Sequence, residues 1–513
     1  MPLGADQVTA WVSAARAGLA QARGRIDAVN VFPVADADTG TNAWLTVEGG
    51  GRAVDDLPPA TGADDVLAAF ARGAMLAARG NSGVILSQWL AGLARRVRRG
   101  GADEPARVLA EALRDAARAA RGALADPQEG TVLTLADEVA AAALLAADAG
   151  AALGDAVAQA ASAGHQALAR TSATHPVLRR AHVPDAGACA LLVVVDALVD
   201  AVTGRPGRDP GQWLPERGAG RAATARDGED GVGHGGPHEH VHEHAADGGA
   251  FEVMAVVQAP GQDLGEPLRA ALGAVGDSVA VVGADGWWHA HVHTDDPAGA
   301  VAACGAGARE QVVVRRLDVV DAAPRPDGWG FVVVTASPGL AAWYATAGAV
   351  VVVRCPEAPV TAVHLRRAVE DARDAADATV LVVPGGVVER DELEALLALD
   401  GVEVLDADDE ARAAVATLAF VTAGPAAAGA VALAGGRVRV AALDPDGWAV
   451  GLAGAVDALV RDGQGVPESL TVVVPGPLDE DAAALVEDVA AARGLEPTVL
   501  ADATGPRVLV AVD

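Results

Sequence analysis

Apolar positions recur at helical spacing from residue 5 to residue 202. In 5–23, Val8, Trp11, Val12, Ala15 and Leu19 fall on one stripe, the period of an amphipathic helix. Comparable Ala-rich patterns cover 64–78, 83–98, 105–123, 134–148 and 154–170, and an apolar run covers 188–202. Strand-like alternation is scarce there, so residues 1–202 are expected to form an all-α domain. From 251 the period changes. Successive patterns predict strand (251–258), helix (265–275), strand (278–283), strand (287–294), helix (297–305) and strand (311–319). That β-α-β-β-α-β order suggests a small ferredoxin-like α+β unit over 251–322. Beyond 328, β-branched runs at 331–335, 350–353, 379–383 and 402–405 alternate with helical patterns, and 470–513 adds strand, helix, strand. Residues 328–513 therefore read as an α/β region with a largely parallel sheet. The expected fold class is multidomain, α and α/β.

Residues 203–250 are rich in Gly, Pro and Asp and carry no apolar period, so they read as a disordered linker. Five of the twelve histidines lie at 234–244 within it, a tract suited to loose Zn2+ or Ni2+ binding without a scaffold to fix geometry. With 513 residues, the chain exceeds a single core and calls for several domains.

Charge narrows the chemistry. A formal net charge of −31 argues against nucleic acid or an anionic membrane as main partner. All 38 basic residues are arginine, which removes the P-loop lysine, the protein-kinase strand lysine and every Schiff-base mechanism. The three cysteines (Cys189, Cys304, Cys355) have no C-x-x-C spacing and imply no disulfide framework. The first residues lack a basic and then apolar signal pattern, and no apolar run approaches the ~18 residues of a membrane span. A cytoplasmic protein without an integral membrane segment is expected.

Candidate chemistry lies in the breaks between helices. In 30–42 (Asn-Val-Phe-Pro-Val-Ala-Asp-Ala-Asp-Thr-Gly-Thr-Asn), Asp36 and Asp38 sit two residues apart in a turn before a helical pattern. Paired carboxylates repel unless a cation lies between them, and Mg2+ favours such oxygen ligands together with substrate phosphates. The following Thr39, Gly40, Thr41 and Asn42 offer helix-start N–H groups to those phosphates. Arg79-Gly80-Asn81-Ser82-Gly83 opens another helix with amides and a hydroxyl. Glu129 to Thr134 opens a third with small polar groups beside apolar ones, suited to a base or ribose, and Asp185 precedes a fourth as nucleotide contact or N-cap. Taken singly, each reads as an ordinary cap; four in one helical domain favour a nucleotide site. In 287–297, His289, His291 and His293 alternate along a strand and share a face, a plausible metal-ligating arrangement.

These residues resemble a known family. The 30–42 stretch resembles the N-V-F-P-V-P-D-G-D-T-G-T-N signature of the bacterial fatty-acid kinase ATP-binding A subunit, whose N-terminal domain is related to the L subunit of dihydroxyacetone kinase. Ala35 and Ala37 depart from its Pro and Gly. Segments 78–88, 129–134 and 183–187 are similar to further blocks in the same order. The resemblance implies an antiparallel helical barrel binding ATP and Mg2+ at one end. It implies Asp36 and Asp38 as metal ligands, with Asn30 or Asp27 as the third, and phosphate contacts from Thr39, Gly40, Thr41, Asn42, Asn81, Ser82 and Gly83. Thr131, Leu133 and Asp185 would line the nucleoside side, and Arg79 is the nearest charge-balancing cation. The His291-Val-His293 segment is similar to the family's middle domain, where two His and a Cys hold Zn2+. This chain has Glu252 near the expected Cys, so Glu252 or His289 would substitute, or the site is lost. The C-terminal region, where the likeness is loosest, would dock a fatty-acid-binding B-subunit-like partner; a homodimer is compatible with it. The implied activity is γ-phosphoryl transfer to a fatty-acid carboxylate, in phospholipid metabolism. The alternatives are a dihydroxyacetone-type (glycerone) kinase acting on a small ketone and a non-catalytic nucleotide-sensing scaffold.

Overall fold

The computed structural model describes residues 3–32, 37–100, 104–124, 127–214, 249–284, 286–317, 329–373, 378–423, 437–462 and 466–513. Asp36 and the histidine tract lie outside them. The chain divides into two compact units, Met1–Ala245 with Ser278–His291, and Ala246–Asp277 with Val292–Asp513.

In the first unit the helices are α1 (Ala5–Asp27), α2 (Thr39–Asp55), α3 (Ala63–Leu76), α4 (Gly80–Arg98), α5 (Pro105–Arg121), α6 (Val132–Asp148), α7 (Leu153–Thr174), α8 (Pro176–Ala181), α9 (Ala186–Thr203) and α10 (Pro210–Trp213). Each is encoded locally. In α5, Pro105 opens the first turn, where its missing N–H costs nothing, and Leu109, Leu113, Ala116 and Ala120 bury one face. From α1 to α7 each helix packs on the next, and α9 packs on both α7 and α1. Eight helices thus close a ring, the all-α barrel expected. Trp11 anchors its interior. Its ring is fully buried, it meets Phe70 and Trp89 edge-on at 5.7 and 6.5 Å, and its Nε1–H donates to the Val194 carbonyl at 2.9 Å.

Two expectations change here. The helical unit runs to Leu214 rather than stopping at 202: the Arg25 guanidinium donates to the carbonyls of Gly211 and Leu214, tying α10 to α1. The reading that no apolar run nears the length of a membrane span also gives way. α9 is long and apolar enough to cross a membrane by length and composition, with 67% of its 18-residue window buried inside the protein. Its apolarity serves the ring, where it faces neighbours on both sides.

The remaining strands are β1 (Phe251–Gln258), β2 (Asp277–Ala284), β3 (Trp287–Thr294), β4 (Ala308–Arg316), β5 (Gly330–Thr335), β6 (Val350–Val353), β7 (Val380–Val383), β8 (Val402–Val404), β9 (Arg439–Leu443), β10 (Ser469–Pro475), β11 (Glu496–Ala503) and β12 (Val508–Val512). The larger sheet has the order β2-β3-β1-β4-β6-β5-β7-β8, and its first four strands follow the ferredoxin-like order. β5 pairs with β6 and β7, and β7 with β8, all parallel. The sequence placed a domain boundary between 322 and 328. In the structure β4 pairs antiparallel with β6, Val313 opposite Val352 and Val314 opposite Val351, so one sheet runs across that boundary. A second sheet has the order β11-β10-β12-β9; its core of Leu452, Val456, Val472, Val486 and Val510 includes a helix (Trp448–Asp462) and a strand, β9, that periodicity did not predict.

Candidate functional site

In a ring built from sequential neighbours, every second helix starts at the same end. The starts of α2, α4, α6 and α9 therefore meet, together with the C-terminal end of α1. The first two are joined by Thr39, whose hydroxyl donates to Asn30 Oδ1 at 2.8 Å and lies 3.3 Å from Ser82 Oγ. Thr46 Oγ1 accepts from the Arg79 amide at 3.4 Å, and a Cβ on Gly83 would lie 2.4 Å from that oxygen. Gly83 thus permits α4 to approach α2. On the other side, Asp185 accepts from the amides of Ala188 and Val132, linking the starts of α9 and α6. Phe32 packs on His175 at 4.3 Å between ring centroids, and a Cβ on Gly130 (φ +78) would sit 3.2 Å from that of His175. A closed cavity of about 10 Å³ lies beneath, lined in part by Ser82, Val132 and Gly187. That is room for about one water.

Asp27 holds the centre. Its Oδ1 accepts from the amides of Gly40 (2.6 Å) and Thr41 (3.0 Å), and its Oδ2 from the Thr41 hydroxyl (2.8 Å). Burial pushes its pKa up to about 6 against the lowering effect of those bonds, and the neighbouring Asp38 charge adds to the rise. Asp38 occupies the N-cap position of α2 without making a side-chain cap bond. The sequence offered Asp27 only as an alternative metal ligand; its capping role appears once α1 is seen to end beside α2.

Several predicted contacts change character. The Gly40 and Thr41 amides point at Asp27 rather than standing open. The Asn42 and Gly83 amides bond within their helices, to the carbonyls of Asp38 and Arg79. The amides of α4 without an intrahelical acceptor are those of Gly80, Asn81 and Ser82. Arg79 is buried and its guanidinium donates to the carbonyls of Ala77 and Ala78, a geometry that braces the loop. Leu133 is buried in the ring core, and its amide donates to Thr131 Oγ1 at 3.4 Å, Thr131 being the N-cap of α6. Asn81 Oδ1 is buried and has no hydrogen-bond partner, and the same holds for His175 Nδ1. A buried amide oxygen without a donor costs free energy unless a ligand supplies one, and this one lies beside Ser82. Sequence reading missed Phe32 and His175, although Phe32 sits inside the first block and His175-Pro176 is a helix-start signal.

Asp185 is buried, and burial pushes its pKa up to about 6 from 3.8. A raised carboxyl pKa stabilises the fold below the unfolded value and loses that contribution as pH rises through the folded one. Between pH 4 and pH 7 the wild-type chain is expected to lose roughly 2 kcal/mol more stability than Asp185→Asn, which keeps the capping oxygen. Urea unfolding at the two pH values measures the difference; identical pH dependence would discard the assignment.

In the larger sheet, ligand atoms of Glu252, His291 and His293 lie within 4.8 Å of one another, all three residues buried. His289 is buried as well but stands outside this group. Glu252 is ion-paired with Arg315, so its charge is already met.

Residues 33–200 match the DAK2 domain. Residues 248–318 match the FakA-like middle domain, that of proteins resembling the A component of fatty acid kinase. The chain carries a DAK2 domain followed by a FakA-like middle domain. This bears out the resemblance read from the four ordered blocks. Protein YloV of Bacillus subtilis is 44% identical over 82 residues, 15% of this chain and 14% of that protein. An uncharacterized protein of Staphylococcus saprophyticus is 45% identical over 71 residues, 14% of this chain and 12% of that protein. The chain thus spans 12–14% of the length of these curated relatives. The dihydroxyacetone kinase of C. freundii, solved with AMP-PNP and Mg2+, has a TM-score of 0.30 and 19% identity, covering 38% of this chain and 33% of that one. At that distance it places no residue.

Proposed function

We propose that this chain is the ATP-dependent kinase subunit of a fatty-acid-phosphorylating system, acting in the cytoplasm with a separate fatty-acid-binding protein. The observation that carries this reading is the meeting of four helix starts around Asp27 and Asp38 within a matched DAK2 domain. The donor set fits a hard cation. Asp27, Asp38 and Asn30 present oxygen atoms at one end of the ring, and Asp36 adds another in the sequence; these residues would hold Mg2+, which supplies charge neutralisation at the phosphates when bound. The chain's own groups do the rest. The open amides of Gly80, Asn81 and Ser82, with the hydroxyls of Thr39 and Ser82, bind and orient phosphate oxygens at a positive helix end. Asn81 Oδ1, an acceptor, would be met by a nucleoside hydroxyl, since ionised phosphate oxygens offer no donor. Asp185 and Thr131 flank the nucleoside side, beneath Phe32 and His175. A carboxylate acceptor is ionised at neutral pH, so the site needs no general base; catalysis is positioning and electrostatics.

The test is ATP turnover by purified protein with free fatty acid, with and without the fatty-acid-binding partner, trapping acyl phosphate with hydroxylamine. Partner-dependent hydroxamate is expected. Turnover with dihydroxyacetone instead would move the reading to a small-ketone kinase, and no turnover with either would leave a nucleotide-binding scaffold.

The Glu252, His291 and His293 cluster is the proposed Zn2+ site. Two histidines and a carboxylate are an accepted zinc donor set, with Arg315 the rival partner of Glu252. Metal analysis of the purified chain is expected to find about one Zn2+, lost in His291→Ala, His293→Ala. Unchanged metal content in that variant would leave the cluster as an ion-paired part of the sheet.

A further inference from the structure

Beside the helix-start end, where α7 ends and the chain turns through α8 into α9, the helical unit holds an open pocket of about 570 Å³ that also reaches Arg208 and Trp213. It shares no lining residue with the small cavity under Ser82, Val132 and Gly187. Leu168, Leu178 and Trp213 form its apolar wall, and Arg179, His182 and Arg208 its rim. In a chain with 69 acidic residues against 38 basic ones, no carboxylate lines this pocket. Neither Arg179 nor Arg208 makes an ion pair among the described residues, although many arginines elsewhere do, Arg16 with Glu48 and Arg121 with Glu129 among them.

Three further features suit a ligand. The Trp213 indole N–H is buried and has no partner, and an indole N–H is a donor only. His165, which also lines the pocket, is fixed by Asp196: its Nε2 lies 2.9 Å from Oδ2 and 3.2 Å from Oδ1, and its ring stands edge-on to Trp213 at 5.0 Å. His182 ends α8 in the left-handed conformation (φ 54, ψ 35), a strained choice for a residue with a side chain. The volume lies in the range of small-molecule sites, which combine apolar walls with a few convergent polar groups.

We propose that this pocket binds an organic anion with an aromatic or branched apolar body. The charged group, a carboxylate or phosphate monoester, pairs with Arg179 and Arg208; the body lies against Trp213 and Leu178, with an oxygen accepting from the indole. Val183 and Pro184 line the pocket and run directly into Asp185, so occupancy bears on the start of α9.

Isothermal titration of the full chain at low ionic strength tests this with phenyl phosphate, benzoate and inorganic phosphate, which separates the two head groups and the contribution of the body. One-to-one binding of phenyl phosphate or benzoate is expected, with inorganic phosphate at least about tenfold weaker because it lacks the body. Arg179→Ser, Arg208→Ser removes two exposed side chains, leaves the helices intact by circular dichroism, and is expected to weaken binding about tenfold or more. Trp213→Phe keeps a ring, drops the donor and is expected to weaken it several-fold. Absence of binding by both organic probes, equal affinity in the double arginine variant, equal affinity for inorganic phosphate, or stoichiometric displacement by Mg-ATP would each overturn the proposal. The last would place the probe at the helix-start end, independently of whether the chain transfers phosphate.

Discussion

The Asp36→Ala, Asp38→Ala variant is expected to fold as the wild type does and to lose phosphoryl transfer by about 10³-fold or more, some 4 kcal/mol of transition-state stabilisation. Folding should survive because Asp38 makes no side-chain cap bond to α2; Asp27 meets the Gly40 and Thr41 amides instead. Activity should not, because carboxylates this close share a strong preference for a cation. The Asp38 charge already raises the Asp27 pKa, so removing it should let Asp27 ionise more readily while leaving it without the neighbouring carboxylates that would share a cation. Initial rates of partner-dependent acyl phosphate formation, at matched helical content by circular dichroism, give the answer. Retained turnover in the double variant would remove these carboxylates from the mechanism and with them the kinase reading of this end.

How much of this was legible depends on how local each feature is. The four helix starts were readable because caps are written in two or three residues: hydroxyl, Asp and Gly before an apolar period. Their meeting was foreshadowed by short connections between successive helices, which make neighbours antiparallel and put alternate starts together. Which amides stay open was not readable. Gly40 and Thr41 looked like phosphate ligands until Asp27, on a different helix, was seen to take their N–H groups. Arg79 looked like a catalytic cation because sequence distance cannot show a guanidinium folded back on the carbonyls of Ala77 and Ala78. The sheet repeats the lesson: the β1–β4 order followed from periodicity, whereas the β4–β6 pairing joins strands whose patterns carry no mark of each other. α8 and α10, at six and four residues, are too short for a periodic signal.

Gly40→Ala should be among the most destabilising single-methyl additions in the chain. α2 crosses the last turns of α1 at this residue, and a Cβ there would lie 2.3 Å from the Arg23 carbonyl oxygen and 2.9 Å from its carbon and Cα. The obstacle is helix backbone, which cannot swing aside as a side-chain tip can. Nor can α2 retreat freely, because the Gly40 amide is held by Asp27 at 2.6 Å. Relief requires breaking that bond or separating the helices, and overpacking of this kind costs about 3 kcal/mol or more. For a helical unit of this size that corresponds to a fall in melting temperature of roughly 6–12 °C, followed by the far-ultraviolet helical signal. Gly62→Ala is the matched control, since a Cβ at Gly62 meets nothing within 4 Å. A Gly40→Ala melting temperature equal to that of Gly62→Ala would mean that α1 and α2 do not pack this closely, and the carboxylate-centred site built on their crossing would fall with that contact.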